Sequence, residues 1–367
     1  MSLRDKLSAG DGTVKAPELF SRFGVLTNPF PSSSQTANNP HYRLPVDDDA
    51  EARIVSFLRD GKSQVVVIEG TQGVGKTNFL SFFEAEIQDV LSDMEGYYVV
   101  RYLADPEASF EGTIRRLFQE LGTDHLIKLA DTISKNNSLL DAVRSQDMRA
   151  ALHSLVKTEE KGDVAKLMME WLLGFRLLKV HRETLGVQFR LDTVESKTSA
   201  LRDLVIISSE AKILKGIFLL LDELEKQDGV LGPTAVVRYL SAMRAIIDAL
   251  PNHLFMMIAV TPDAMRRYSV ALPAFRSRLQ NQITLAPLAT FEEAEELANF
   301  YLDAARTEAK KQKSGTPGRQ ELVTTQQMLE AFEQLRRLAE RRGDSGVRQR
   351  EFLHQLHTTA ERVIQAA

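Results

Sequence analysis

Apolar positions along the chain fall into short runs that predict strands. Residues 64–69 and 97–103 form two such runs, and the strongly apolar residues 216–221 and 254–260 form two more. A last short strand is predicted at residues 281–285. Strands that are apolar on both faces are typical of a parallel sheet covered by helices. The pattern therefore predicts an α/β fold with a three-layer αβα arrangement.

Between and after these runs, apolar residues recur at helical spacing. Gly122 follows one such helix and is a typical helix terminator. A polar linker at residues 310–319 separates the last helical segments, and residues 28–34 are turn-rich, so no helix is expected there. The helices are predicted at residues 50–58, 77–91, 110–121, 291–309 and 325–367.

Residues 123–215 are mostly helical in pattern and contain no strong strand, so they are predicted to be an insertion. Within it, residues 165–179 surround the only tryptophan, Trp171, with an apolar stripe that predicts core packing. The stripe consists of Leu167, Met168, Leu172 and Phe175.

Composition narrows the class of protein and its compartment. The chain has 367 residues, 43% hydrophobic and 26% charged, which is ordinary for a globular protein of more than one domain. Without cysteine it has no disulfide and no thiol ligand, which favours a reducing cytoplasm. The apolar runs fall short of the about 20 residues of a membrane span. The histidines show no zinc-ligand spacing. A net charge of −4 argues against bulk attraction to nucleic acid but leaves a local basic face open.

A glycine-rich motif, Gly-x-x-x-x-Gly-Lys-Thr, lies between the first strand and a predicted helix. Such a loop lets backbone N–H groups converge on phosphate oxygens, while its lysine reaches the β and γ phosphates and its threonine hydroxyl ligates Mg²⁺. A chance glycine turn is the alternative. The predicted phosphate-binding residues are Gly70, Thr71, Gln72, Gly73, Val74, Gly75, Lys76, Thr77 and Asn78.

An acidic pair, Asp222 and Glu223, ends the strand at residues 216–221. The carboxyl edge of an open α/β sheet is where ligands bind, and ATP hydrolysis needs a metal-binding carboxylate and a group that activates water. Asp222 and Thr77 are therefore predicted to hold Mg²⁺, and Glu223 to act as base. The alternative is an ordinary acidic strand end.

Other polar residues have two open interpretations. Thr261 ends the strand at residues 254–260, so it either orients the attacking water or caps the following helix. Arg276 and Arg278 either reach a neighbouring subunit's γ-phosphate or are solvated at the surface. Arg348 and Arg350 either close over the nucleotide or belong to a basic helix face.

Taken together, these residues resemble the AAA+ ATPases and, within them, the clade of replication initiators related to the origin recognition complex. Residues 40–45, Pro-His-Tyr-Arg-Leu-Pro, are similar to the stretch that packs on adenine in that clade, which implies contacts from Tyr42, Leu44 and Pro45. The resemblance also implies a first sensor at Thr261, an arginine finger at Arg276 or Arg278, and a second sensor at Arg348 or Arg350. It spans about residues 23–353.

Four segments more narrowly resemble bacterial ATP-binding proteins of BREX-type phage-defence systems. They are residues 170–174, 185–187, 216–225 and 350–353. Asn28-Pro29-Phe30 is similar to ATPases that regulate transposition or secretion. The chain departs from the initiators in its longer insertion and in lacking an evident winged-helix segment after the lid, which puts autonomous origin binding in question.

These observations predict a P-loop NTPase with a flexible leader at residues 1–22, an AAA+ ATPase domain at 23–288 and a helical lid at 289–367. The expected function is ATP hydrolysis with Mg²⁺ that drives homo-oligomer assembly, through nucleotide-bridged interfaces, and switching on DNA or a protein partner such as a nuclease. DNA candidates are Lys310, Lys311, Lys313 and residues 336–350, with a solvated charge run as the alternative. The alternative function is a nucleotide-gated scaffold with little hydrolysis that recruits a partner enzyme.

Overall fold

Five parallel strands form one sheet in the computed structural model, which describes residues 20–32, 39–103, 109–225, 233–279, 281–312 and 320–366. The strand order is β2-β3-β4-β1-β5. All neighbouring strands in the sheet are parallel, as the sequence predicts. The strands are β1 Gln64–Glu69, β2 Tyr97–Leu103, β3 Gly216–Asp222, β4 Leu254–Val260 and β5 Asn281–Thr284.

The chain divides into two compact units, and the sheet lies in the larger one, residues 44–70 and 79–284. In β3 and β4 every residue is buried, which explains why both strands are apolar throughout. The helices of this unit are α1 Pro45–Asp60, α2 Lys76–Leu91 (from residue 79 onward), α3 Phe110–Lys135, α4 Gln146–Lys157, α5 Lys161–Leu172, α6 Lys179–Leu185, α7 Val194–Glu210, α8 Pro233–Ala249, α9 Pro262–Ala271 and α10 Pro273–Arg276, with a 3₁₀ turn at Asn137–Ala142.

The predicted insertion, residues 123–215, is helical and packs around a shared apolar core. The helix predicted at residues 110–121 does break at Gly122, where φ is 75° and ψ is 174°, but a second helical segment continues directly to Lys135. Trp171 is 1% exposed, which confirms its predicted core packing, but Phe175, which the same stripe predicted to be buried, is 47% exposed because it lies beyond the end of the helix. The segment 165–179 of this mostly helical stretch is helical only in part, because α5 stops at Leu172 and Gly174 turns the chain with a φ of 78°.

Two buried polar side chains in this unit, His125 and Lys197, have polar partners. His125 lies between the hydroxyl groups of Tyr98 and Ser208, at 2.7 and 2.8 Å. Burial is the main cause that lowers the pKa of His125 to about 4, and the charge of Lys128 contributes. The buried Lys197 forms an ion pair with Glu111. These contacts tie the insertion helices to β2 and to one another.

The smaller unit comprises residues 1–43, 71–78 and 285–367, of which the structure describes 20–32, 39–43, 71–78, 285–312 and 320–366. Its helices are α11 Phe291–Lys311, α12 Thr325–Arg342 and α13 Gln349–Ala366. The segment predicted as helical at 325–367 is thus two helices, separated after Gly343, which has a φ of 74°. None of the described helices combines the length and the apolar content needed to cross a membrane.

The turn-rich segment near the start of the chain packs on the last helix of this unit. Phe30 is buried, the Asn28 side chain donates to the carbonyl of His357, and the His357 ring lies 2.6 Å from the carbonyl of Phe30. The predicted leader falls almost entirely, and residues 33–38 and Lys313 fall entirely, outside the described residues.

Candidate nucleotide site

The predicted phosphate loop has backbone conformations that require glycine. Gly73 and Gly75 have φ values of 84° and 100°. Side chains strongly disfavour this left-handed region, so the glycines let successive N–H groups turn inward as an anion-binding nest. The loop starts at Gly70, whose N–H donates to the carbonyl of Val260 at 3.2 Å, and α2 begins at Lys76. The loop therefore has the local geometry that cradles phosphate.

Lys76 is buried at the first turn of α2, with 8% of its surface exposed. Its ammonium group donates to the carbonyl of Thr71 at 3.3 Å. The neighbouring Asn78 lies 2.8 Å from the His41 ring and donates to the carbonyl of Asn39 at 3.0 Å. A buried lysine at a helix N-terminus beside an amide nest suits a polyphosphate, because both features favour negative charge.

Helix α13 starts directly against this loop. The N–H of Arg350 donates to the carbonyl of Gly73 at 3.0 Å. A Cβ atom on Gly73 would lie 3.5 Å from Cβ of Arg350 and 3.6 Å from Cβ of Arg348, and one on Gly75 would lie 3.1 Å from Gln349 Oε1. The structure therefore brings both arginines to the phosphate loop, together with Gln349.

Arg348 is held by carboxylates of the lid. Its guanidinium lies 3.0 Å from Asp344 and 3.5 Å from Glu351. Within the described part of the chain, its buried Nε has no hydrogen-bond partner.

The predicted acidic pair lies at the carboxyl end of β3. Asp222 is 1% exposed and receives two hydrogen bonds. Arg101 of β2 donates to one carboxylate oxygen at 2.7 Å, and the N–H of Glu223 donates to the other at 2.9 Å. Arg101 also lies 3.4 Å from Glu84 of α2. Asp222 is thus a buried, oriented carboxylate whose negative charge is balanced by Arg101.

Glu223 has a φ of 54°, in the left-handed region that non-glycine residues rarely adopt. Such conformations cluster at functional sites, where neighbouring contacts hold them in place. Here the next residue, Leu224, is buried and its carbonyl accepts from the hydroxyl group of Tyr268 at 3.2 Å. The strained turn therefore fixes the position of the predicted base.

Thr261 follows β4 at the same edge of the sheet, where its hydroxyl accepts from the N–H of Ala264 at 3.4 Å. It therefore caps α9, one of the two roles left open by the sequence. Because the strands are parallel and in register, the carboxyl ends of β1, β3 and β4 all lie along this edge. The sheet thus lines up the start of the phosphate loop, the acidic pair and Thr261.

The two candidate finger arginines differ in their surroundings. Arg278 donates to Asp248 at 2.6 Å and lines a cleft of about 630 Å³ next to the amino-terminal ends of β1, β4 and β5. Arg276 is exposed. The cleft beside Arg278 therefore lies at the edge of the sheet opposite to the acidic pair.

The predicted adenine-contacting residues have structural roles of their own. Tyr42 donates to Glu296 at 3.0 Å and packs edge-on against Phe300, and burial raises its pKa. Leu44 precedes α1 as its N-cap, and Pro45 is the first residue of that helix.

Sequence reasoning missed Arg101 and Gln349. Arg101 interrupts the apolar strand β2, and a charged residue at such a position signals a buried partner. Gln349 gave no comparable signal. Among the residues with described coordinates, no group of three or more acidic or histidine side chains forms a metal site on its own. A Mg²⁺ ion bound with ATP needs only one or two protein ligands, because phosphates and water supply the rest.

Comparisons with known proteins give a match to one family model. Residues 124–303 match the family model described as BREX system ATP-binding protein BrxC/D, just under half of the chain. The match includes the acidic pair and both candidate finger arginines but begins after the phosphate loop. Curated protein sequences give no match.

Solved structures that match include the Aeropyrum pernix ORC2 protein in its ADPNP–ADP complexes. That match has 13% identity and a TM-score of 0.43, and it covers 90% of this chain and 72% of that one. Cdc6p from Pyrobaculum aerophilum matches with 14% identity and a TM-score of 0.39, over 86% of this chain and 67% of that one.

Proposed function

We propose that this chain, a P-loop NTPase fold related over residues 124–303 to BREX ATP-binding proteins, binds ATP and hydrolyses it with Mg²⁺. The observation that carries the proposal is the glycine nest that leads from β1 into α2, on a sheet whose strand β3 ends in a buried Asp222 and a strained Glu223.

Each residue has a distinct task in the reaction. The N–H groups of residues 71–77 and the Lys76 ammonium would bind the phosphates, since the Gly70 N–H is already bound to Val260. Thr77 and Asp222 would hold the metal ion. Mg²⁺ would neutralise charge on the β and γ phosphates. Glu223 would accept a proton from the attacking water. The Thr261 hydroxyl accepts a hydrogen bond as the cap of α9, and its own proton would still be able to orient that water. Each oxygen of Asp222 keeps a lone pair beyond the hydrogen bonds from Arg101 and Glu223, so the carboxylate would still be able to accept from metal-bound water.

Arg101 is the positioning residue of this arrangement. Its guanidinium binds both Asp222 and Glu84, so it fixes the Asp222 carboxylate and balances its charge in the absence of metal. A buried carboxylate without a cation would be strongly destabilised. Arg101 therefore allows β3 to end in a buried carboxylate.

Glu223→Gln tests the hydrolytic role. The amide cannot take a proton from water, so ATP turnover should fall by a factor of about 10² to 10⁴, while ATP affinity stays close to that of the parent. Lys76→Ala serves as the matched binding variant, in which affinity itself is lost. Turnover of Glu223→Gln at the parent rate would remove Glu223 from the mechanism.

Assembly is the second part of the proposal: subunits meet through bound nucleotide, and an arginine of one subunit stabilises the γ-phosphate of the next. The Arg278–Asp248 ion pair makes the exposed Arg276 the better candidate for this arginine. We expect ATP turnover per subunit to rise with protein concentration. This rise should be absent in Arg276→Ala. The ATP cycle would then switch the grip of the assembly on DNA or a protein partner, in a cytoplasmic phage-defence role.

A nucleotide-gated scaffold is the alternative. The helical insertion, residues 123–215, supplies none of the predicted nucleotide-site residues, so it would be the segment that recruits the partner enzyme. If alanine at both Arg276 and Arg278 changes neither turnover nor assembly, the trans-arginine mechanism is wrong and the scaffold is favoured.

A further inference from the structure

Exposed apolar residues gather on one part of the helical insertion, residues 175–190. Four large apolar side chains there are 47% to 72% exposed: Phe175, Leu178, Val180 and Phe189. Large exposed apolar side chains that gather in one place mark interaction sites rather than ordinary surface. No residue of this segment takes part in the nucleotide site.

The two phenylalanines are presented by a rigid backbone. The N–H groups of Gln188 and Phe189 both donate to the carboxylate of Asp147, at 3.0 and 2.9 Å, and the Phe189 carbonyl accepts from the Trp171 indole at 2.9 Å. The Phe189 side chain nevertheless remains 72% exposed. Three hydrogen bonds thus hold the backbone of this loop while a large aromatic ring stays exposed to water. Because the loop is already ordered, it would lose little entropy on binding a ligand.

The loop that carries Phe175 is joined to the loop that carries Phe189. Arg190 donates through Nε to the carbonyl of Gly174 at 2.8 Å. Gly174 has a φ of 78°, and a Cβ atom there would lie 2.8 Å from the carbonyl of Leu191, so only glycine permits this approach. The guanidinium of Arg115 stacks over the Phe175 ring, 5.4 Å from its centroid.

Positive charge alternates with these apolar side chains. Residues 175–190 contain Arg176, Lys179, Arg182 and Arg190 but only one acidic residue, Glu183, a net charge of +3 in a chain of net charge −4. Each phenylalanine is followed directly by an arginine. The segment is therefore complementary to an anionic partner, in contrast to the chain as a whole.

We propose that residues 175–190, with Arg115, form a binding surface for single-stranded nucleic acid, on which bases stack on Phe175 and Phe189 and phosphates contact the neighbouring arginines. Aromatic rings along a positively charged track are the usual means of binding single strands without sequence preference. An acidic protein segment fits less well, because charged side chains interrupt the apolar area every two or three residues, whereas a protein interface has a continuous apolar core. The surface goes beyond the proposed ATPase and does not depend on hydrolysis.

The test is fluorescence anisotropy of a fluorescein-labelled oligothymidine of about 16 nucleotides, long enough for one extended site. The full-length parent should bind it, with an affinity that falls as salt rises. Phe189→Leu keeps an apolar side chain but removes the stacking ring, so affinity should fall by about 5-fold to 150-fold, and Phe175→Leu should behave alike. Phe189→Trp should bind at least as well as the parent, and Arg176→Gln should reduce the salt slope by about 0.7.

Val270→Ala is the matched control, since this apolar residue is 79% exposed but lies on α9. It should bind as the parent does. The inference is overturned if the parent does not bind oligothymidine, or if the two leucine variants bind it with parental affinity. The inference is also overturned if the parent binds poly-glutamate instead of oligothymidine and Phe189→Leu weakens that binding. The surface would then be assigned to an acidic protein partner. Lys76→Ala separates the two proposals, since it should lose ATP binding and keep oligothymidine binding.

Discussion

The ion pair between Arg101 and Asp222 should dominate the stability of the sheet edge. The Asp222 side chain is fully buried and that of Arg101 is 16% exposed, with 2.7 Å between them. At an effective dielectric constant near 20, unit charges about 4 Å apart attract by about 4 kcal/mol, a gain that desolvation largely offsets. Removing only one partner leaves an uncompensated buried charge. Arg101→Met should therefore lower the free energy of unfolding by about 3 to 5 kcal/mol.

A double-mutant cycle isolates the pair. Asp222→Asn keeps the shape of the side chain and should cost less, about 1 to 2 kcal/mol, because the amide oxygen still accepts one of the two hydrogen bonds and Arg101 keeps its contact with Glu84. The double variant should be more stable than the sum of the single effects predicts, by about 2 kcal/mol. Arg116→Met, which breaks an exposed pair with Glu120, is the control and should cost less than about 1 kcal/mol.

The assay is urea unfolding followed by the fluorescence of Trp171, because this only tryptophan is buried in the same unit as the ion pair. Single effects that add up to the effect of the double variant, within about 0.5 kcal/mol, would refute the pairing.

Three further predictions concern the rest of the molecule. The pKa of His125 is lowered from 6.5 to about 4, so the unfolded chain binds more protons than the folded chain between these pH values. The free energy of unfolding should therefore fall by up to about 3 kcal/mol as pH drops from 6.5 to 4. Urea unfolding of His125→Gln should show a flatter pH dependence, and that of the exposed His153→Gln should match the parent. Gly75 has a φ of 100°, so Gly75→Ala should lower the free energy of unfolding by about 1 to 3 kcal/mol and abolish ATP binding. Calorimetry measures the binding, and a parental ATP affinity would contradict the predicted phosphate-binding nest. Trp171→Phe removes the hydrogen bond to the Phe189 carbonyl and should lower the free energy of unfolding by about 1 to 3 kcal/mol. Calorimetry should show this as a lower melting temperature, and an unchanged melting temperature would contradict the hydrogen bond.

The strands were predictable because the sheet is parallel and covered on both faces. Burial on both sides leaves only apolar residues acceptable in β3 and β4, so the runs mark the strands almost residue by residue. Helix ends were less predictable. At Gly122 the sequence signals an end, yet the chain restarts a helix at once because its apolar residues pack into the same core.

Within the candidate site, the phosphate loop could be predicted because its chemistry requires fixed residues at fixed spacing. The pairing of Arg101 with Asp222 could not, because it joins residues 121 positions apart and depends on the adjacency of β2 and β3. The strain at Glu223 was equally hidden, since no residue type announces a positive φ outside glycine and, at times, asparagine or aspartate. Partner choice and the surface at residues 175–190 depend on which apolar side chains the core leaves exposed.

The most direct test of the central claim is the affinity for ATP with and without Mg²⁺, measured by calorimetry on the parent, Lys76→Ala and Asp222→Asn. The parent should bind ATP more tightly with Mg²⁺, Lys76→Ala should lose binding under both conditions, and Asp222→Asn should keep metal-free binding but lose the gain from Mg²⁺. Parental ATP affinity in Lys76→Ala, or an undiminished Mg²⁺ effect in Asp222→Asn, would contradict a site in which the phosphate loop and the acidic pair serve one nucleotide.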